Sequence, residues 1–518
     1  MTSTAPNSKA SADTARTAGR GGMAVLAAKI FFILVGFAQQ TLLPWLIGKD
    51  GYGALSRVLA PTNIVNNVVI TSSIQGVSRA VAQTHDDRAP ETFRRLFKAH
   101  IAIALPVALL FFFFAPIYAT RFQLAPHIAR PLQLMSIVVL AYGIYAPVIG
   151  SLNGRRLFTR QAALDVTYAT LRTAGLLGLG WVFARSGQGI LGACIGFSLA
   201  ATLIVPISLR VAGTGRAGNA GPTIKQHLLF ILPVAIGQIA VQLLMQSDIM
   251  TLGHFASKLV LAQGMAGEAA TKAADEIVGV YRGCQLFAFL PYQLLISLTF
   301  ILFPMLAKAK AEQDPVLIAR YVRTGMRLSF VFACLMVGTV SALGPHLLRL
   351  TYPIEFSQQG GDALRLLALG QGAFSIFYVE TTVLTSLGRE RVSAVLTWVA
   401  VGLIFGLSWV AGMGATSGVD LVLRTAAATT AALTLASIAG AVAVRVVARA
   451  FVSPLTFLRT CVALGAAVLL GMRVPWLGKI LVLPEAGAIA LIGLLVLVFT
   501  GEVGKADVAM VRNVVRRR

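Results

Sequence analysis

The sequence predicts an all-α polytopic membrane protein. About fourteen transmembrane helices are expected, as two parallel six-helix repeats followed by two C-terminal helices, with a cavity between the two lobes. Three observations carry this. Of the 518 residues, 57% are hydrophobic and only 12% charged, with a mean hydropathy of +0.78; a soluble chain carries about a quarter charged residues. Apolar runs able to cross a hydrocarbon core of ~30 Å recur along the whole length, separated by short polar loops. The third observation is a duplication. Tyr52 is followed nine residues on by Pro61 and 27 on by Arg79, and Tyr281 is followed ten residues on by Pro291 and 27 on by Lys308. Each copy then enters an acidic-Pro-basic loop, Asp86-Asp87-Arg88-Ala89-Pro90 with Arg94 and Arg95, and Gln313-Asp314-Pro315 with Arg320 and Arg323. Further on, Pro131-Leu132-Gln133-Leu134 and Ser151-Leu152 answer to Ala363-Leu364-Arg365-Leu366 and Ser386-Leu387. Three matches in one order argue for a duplicated half.

In chain order, the expected spans cover residues 23–47, 57–83, 96–118, 132–152, 162–183, 188–209, 225–255, 277–306, 324–349, 363–387, 392–412, 419–444, 454–472 and 480–500. The domain reading follows from them: a polar, basic and disordered tail over 1–22, an N-terminal lobe over 23–209, a linker over 210–224, a C-terminal lobe over 225–450, the last two helices over 451–500 and a basic tail over 501–518. The stretch 23–47 is too long for a signal-peptide core and is read as the first span. The stretch 277–306 is interrupted by Pro291 and Pro304, breaks that membrane helices tolerate where neighbours satisfy the freed carbonyls. The longest loop expected, around His254 to Glu276, is too short to fold as a soluble domain.

The net charge of +24 is spread through loops between apolar spans, with no nucleic-acid module around it. With the N-terminus placed in the cytoplasm, cytoplasmic tails, loops and span ends hold 29 of the 44 Lys and Arg, and the opposite side 13. The positive-inside bias therefore predicts both termini in the cytoplasm. Cys194, Cys284, Cys334 and Cys461 are isolated in apolar segments, so neither a disulfide framework nor a zinc site is indicated. Phosphate-loop, zinc-hydrolase and serine-hydrolase motifs are missing, so no enzyme activity, cofactor or metal is expected.

Polar groups inside the spans are the functional pointers, because charge in lipid is costly. Asn63, Asn67, Thr71, Gln75 and Ser78 form one drifting face of the second span, and Gln238, Gln242 and Gln246 repeat the idea in the seventh. They line an aqueous cavity or glue helices together. Arg172 sits near the middle of the fifth span, with Asp165 seven residues earlier on the same face; the two are a partly paired structural unit or part of a site. Glu380 lies inside the tenth span and Asp248 toward the outer end of the seventh. Lys29 and Arg79 lie near cytoplasmic ends, where their stems can snorkel. Arg57 and Arg282 open the second and eighth spans on the outer side, at a cleft mouth or against lipid headgroups.

The six-plus-six-plus-two order, Leu46-Ile47-Gly48 before Gly51-Tyr52-Gly53, Gly279-Val280-Tyr281, and Phe303-Pro304 together resemble the multidrug/oligosaccharidyl-lipid/polysaccharide exporter superfamily, most of all its polysaccharide-transporter and lipid II flippase branches. The resemblance implies a cell-membrane protein that moves undecaprenyl-pyrophosphate-linked sugars across the cytoplasmic membrane by alternating access, in polysaccharide or peptidoglycan biosynthesis, beside glycan polymerases or glycosyltransferases. It implies drive by the membrane potential or a H+ or Na+ gradient. The lipid II branch bears an Arg-Asp pair just after a Gly-Phe in its first helix; here Gly36-Phe37 is followed by Ala38-Gln39-Gln40. The substrate therefore stays open between lipid II and another lipid-linked oligosaccharide. The competing class is a cation-coupled multidrug or small-solute antiporter.

On this reading a pyrophosphate requires fixed cations, and Arg offers it a planar fork. Arg172, with Arg57 and Arg282, is the expected substrate contact, joined by Asn67, Gln75 and Gln242, and Glu380 and Asp248 are the expected ion-coupling acids. Topology is checked by single cysteines: replacements of Arg88, Arg156 and Arg391 should be shielded from an impermeant thiol reagent in intact cells, while one at Lys258 should react. Labelling at position 88 from outside would overturn the orientation.

Overall fold

The computed structural model describes residues 8–504, with side chains over 23–504. Of the two expected tails, residues 1–7 and 505–518 lie outside the described residues. Regular structure among the described residues is helical throughout: α1 Ser8–Ala82, α2 Ala89–Ile117, α3 Ala129–Gly154, α4 Phe158–Ala184, α5 Gly189–Ala212, α6 Ile224–Ala262, α7 Gly267–Ala288, α8 Leu290–Ala311, α9 Pro315–Ala342, α10 Gly344–Thr351, α11 Ile354–Ser386, α12 Glu390–Met413, α13 Gly418–Ala448, α14 Pro454–Gly471 and α15 Val482–Phe499.

Twelve helical stretches among the described residues are long and apolar enough to cross a membrane. The two remaining expected crossings are present as helices. One is the second half of α1, beyond Gly48, whose φ of 81° and ψ of 165° break the helix at a conformation that suits glycine. The other is α4, which carries Asp165 and Arg172. The eighth expected span is two helices, parted at Phe289, with Pro291 in the first turn of α8 where its missing N–H costs nothing. Pro304 sits inside α8 without ending it. The loop expected around His254 to Glu276 is corrected: α6 runs on to Ala262 and α7 begins at Gly267, so only a short turn is left. Its Lys, Glu and Asp residues are the polar ends of helices, and composition alone had read them as loop.

The chain forms two compact units, Met1–Gln246 and Ser247–Arg518, which part within α6. In the first unit, α1, α2 and α3 close around Val77, Val81, Phe93, Leu96 and Val148. Helices α4 and α5 cross at Gly175 and Gly196, each backed onto the other's backbone carbonyl. Small residues at such a crossing let helices approach where lipid offers no hydrophobic drive. At the far end of α2, a π-turn over Tyr118–Phe122 and a 3-10 turn over Pro126–Ile128 lead into α3.

In the second unit, α11 is the central helix. Its Ile376, Val379, Val383 and Leu384 pack against α8, α9 and α13 through Leu302, Leu306, Met326 and Val444. The last two helices rest on α9 through Cys334, Ala463 and Leu497. A carboxylate fixes each end of this pair. Glu502 takes Arg327 at 2.8 Å and Arg459 at 3.4 Å, and Glu485 takes His346 at 2.9 Å. Large apolar side chains such as Leu110, Phe113 and Phe114 stay exposed, an arrangement that suits contact with lipid rather than water.

The α4–α5 crossing is testable with one added methyl group. Gly196→Ala should force the two backbones apart and lower stability by about 1–3 kcal/mol. Gly178→Ala, with nothing within 4 Å of the new Cβ, should leave it unchanged. Thermal unfolding of the purified protein in detergent reads both.

Candidate functional site

Helix α4 presents Asp165 and Arg172 on one face, about 10 Å apart along the axis at 1.5 Å per residue. That separation is resolved by partners from other helices. Asp165 turns toward Lys29 of α1 and toward the Tyr145 hydroxyl of α3, which approaches without completing a hydrogen bond. Arg172 is half-buried, 5.5 Å from the ring centres of both Phe32 in α1 and Phe197 in α5, with the Tyr142 hydroxyl of α3 beside it. Aromatic faces steady a guanidinium without neutralising it. Arg172 has no ion pair among the described residues. Behind it, Tyr168 donates to Tyr142 across 2.6 Å, which stiffens the α3–α4 contact.

Gln39 of α1 completes this group and was not singled out by sequence reasoning. It is 1% exposed; its Oε1 accepts from Thr173 Oγ1 at 3.2 Å, and its Nε2 has no partner. Gln39, Arg172, Thr173 and Gly36 line a narrow cleft of about 10 Å3, space for about one water. A buried amide with an open donor is costly unless something fills that place. The available signal was the stretch Ala38-Gln39-Gln40 after Gly36-Phe37, two amides inside an apolar helix.

The other expected residues of the first unit lie in different settings. Arg57 is buried, and its Nη2 and Nε donate to the carbonyl (2.6 Å) and the side-chain oxygen (3.0 Å) of Gln123, so it braces the turn between α2 and α3. Asn67 Nδ2 donates to Gln242 Oε1 at 2.9 Å, joining α1 to α6. Gln75 is exposed, while Asn63, Thr71 and Ser78 are half-buried, so the polar strip of α1 stays outside the packed core. Arg79 lies 4.1 Å over the Phe230 ring. Sequence reasoning also passed over a buried chain in which His100 Nδ1 meets Ser73 Oγ at 3.1 Å and its Nε2 meets His227 Nε2 at 3.0 Å.

The second unit holds Asp248, Arg282 and Glu380. Asp248 is almost fully buried and well supplied: Tyr281 OH donates at 2.6 Å, Gln285 Nε2 at 3.1 Å and the Ile249 N–H at 2.7 Å. Arg282 donates to Gln285 Oε1 at 3.0 Å, so Gln285 links the two expected residues. Glu380 is the opposite case. It is fully buried, neither carboxyl oxygen completes a hydrogen bond, and the Ser437 hydroxyl of α13 lies close by. Its carboxyl sits over Gly440, where any Cβ would collide with it.

The family model described as "Polysaccharide biosynthesis protein" matches residues 18–310. The succinoglycan biosynthesis transport protein ExoT of Rhizobium meliloti is 26% identical over 370 residues, covering 70% of this chain and 67% of that one. The fold is similar to that of the lipid II flippase MurJ in an inward closed conformation, with a TM-score of 0.71 at 13% identity over 94% of this chain and 99% of that one. It is also similar to an inward-facing multidrug resistance MATE family transporter of the MOP superfamily, with a TM-score of 0.63 at 13% identity over 82% and 99% of the two chains.

The two buried acids should respond differently to replacement by their amides. Asp248→Asn puts an amide where Gln285 already donates, and should lower stability by about 1–3 kcal/mol. Glu380→Gln removes an unpartnered carboxyl and should leave the unfolding midpoint unchanged or raise it. Unfolding midpoints measured side by side in detergent decide the matter; equal losses in both variants would contradict the assignment.

Proposed function

The chain belongs to the polysaccharide biosynthesis protein family, with the fold of the multidrug/oligosaccharidyl-lipid/polysaccharide exporters, and from that premise we propose that it is a flippase for a lipid-linked oligosaccharide. Its cargo on this reading is an undecaprenyl-pyrophosphate-linked glycan, lipid II or a polysaccharide repeat, carried across the cytoplasmic membrane by alternating access. Both termini face the cytoplasm, and the membrane potential or a H+ or Na+ gradient drives the cycle. Glycan polymerases and glycosyltransferases are the partners that such a cargo calls for.

The observation that carries the reading is the deep cation of α4. Arg172 is half-buried, steadied by two rings, paired with no acid among the described residues, and set beside the open donor of Gln39. A cation and an amide N–H are the groups that a phosphate oxygen takes. The transport reading is supported by the succinoglycan transport relative. Of the other expected contacts, Arg282 has one donor committed to Gln285. Arg57 already has its donors on Gln123, so it acts by holding the outer turn. Glu380, lacking hydrogen-bond partners, is the stronger of the two candidates for binding a proton or Na+ in the return step, because Asp248 is satisfied by its neighbours.

The alternative, a cation-coupled antiporter for drugs or small solutes, is favoured by the fold likeness to multidrug transporters. That likeness spans 82% of the chain, against 94% for the lipid II flippase.

Depletion of the protein should make a lipid-linked glycan accumulate, identifiable by mass spectrometry of extracted lipids. Arg172→Ala should fail to relieve the accumulation while still inserting, since loss of one desolvated charged contact costs about 2–5 kcal/mol of interaction. Arg172→Lys should relieve it in part, and Glu380→Gln should relieve it slowly with an altered dependence on external pH or Na+. Unchanged lipid intermediates on depletion, together with lost drug efflux, would select the antiporter instead.

A further inference from the structure

We propose that the second unit carries a separate anion site for a phosphate group, in a pocket of about 410 Å3 where α9, α13 and the start of α14 meet. Its walls carry Arg323 and Arg327 one turn apart on α9, Arg445 and Arg449 one turn apart at the end of α13, and Ser453 and Thr456 at the start of α14. Four arginines from two helices line this one space.

The counter-charge present does not balance them. Glu502 is the acid at this place, and it is taken by Arg327 at 2.8 Å and Arg459 at 3.4 Å. Arg323, Arg445 and Arg449 have no ion pair among the described residues. Basic residues are common at the cytoplasmic ends of spans, where they usually point apart into water. Here Arg323, Arg445 and Arg449 are exposed around one shared pocket, so an anion bound there would ease their mutual repulsion. The start of α14 adds the positive end of its helix dipole, and the Ser453 side chain caps it by accepting from the Thr456 N–H at 3.1 Å. Arg449 itself sits at φ 49°, ψ 25°, a left-handed position that glycine occupies more easily.

Phosphate is the anion that such a set recognises, since each guanidinium can hold two of its oxygens at once. Two sources share this chemistry: the headgroup of an anionic phospholipid, which basic pockets between membrane helices take up, and free inorganic phosphate. All four arginines fall on the side that the Lys and Arg distribution assigns to the cytoplasm, where both are available.

The full chain, purified in an uncharged detergent, is titrated calorimetrically with dihexanoyl-phosphatidylglycerol, dihexanoyl-phosphatidylcholine and inorganic phosphate. The expected result is saturable, salt-sensitive binding of the phosphatidylglycerol or of phosphate, but not of the phosphatidylcholine. Binding of the phosphatidylglycerol alone assigns the site to a lipid headgroup, and equal binding of phosphate assigns it to the free ion. Arg449→Gly removes one guanidinium at a backbone position that favours glycine, so folding is preserved, and it should weaken binding at least tenfold. Arg323→Gln, on a different helix, should do the same, while Arg94→Gln in the first unit should not. Absence of binding by either probe, or binding unchanged in both Arg449→Gly and Arg323→Gln, overturns the proposal. Transport is not the readout, so this failure would leave the flippase reading standing.

Discussion

A polar group inside hydrocarbon has no water to return to, and most of this structure is arranged to answer that constraint. Asp248 is surrounded by donors from Tyr281, Gln285 and its own backbone neighbour. Arg57 spends its guanidinium on Gln123. Glu502 and Glu485 fix the two ends of the last helix pair through Arg327, Arg459 and His346. In each case at least one partner comes from another helix or from a turn between helices, so satisfying the charge also fixes the packing. The penalty for separating such a pair is what makes these contacts specify the fold, more than any gain from forming them.

Among the described residues that keep an unsatisfied buried group or an unpaired charge are two site candidates, one in each unit. In the first, Arg172 has aromatic neighbours in place of an acid, and Gln39 keeps an open donor. In the second, Glu380 has no completed hydrogen bond. Local inconsistencies of this kind are retained where a function uses them. Asp248 and Glu380 make the contrast sharp: both are buried acids within spans, and the supply of hydrogen-bond donors separates their settings.

The order and number of the helices that can cross a membrane were legible because hydropathy is a property of the chain read in one dimension. The break at Gly48 and the division near Pro291 were legible for the same reason, since glycine and proline act locally. What the sequence hid was partnership. Asp165 and Arg172 share a face, which invites pairing, yet Lys29 and Tyr145 serve one and Phe32 and Phe197 the other. Gln285 looked like an unremarked residue in an apolar run until it joined Asp248 to Arg282. The extension of α6 and α7 through the stretch around His254 to Glu276 was hidden because its polar residues read equally well as loop or as helix ends.

Glu380 also bears on how the second unit can move. Its carboxyl is pressed onto Gly440, so α11 and α13 lie close at that level, and the absent Cβ is what allows it. A carboxylate there would require a cation, water or added hydrogen-bond donors, and the closed seam supplies none beyond the nearby Ser437 hydroxyl. Supplying them means parting α11 from α13. Charge on Glu380 and closure of that seam therefore oppose each other, and any ligand that favours one state must shift the other by the same free energy.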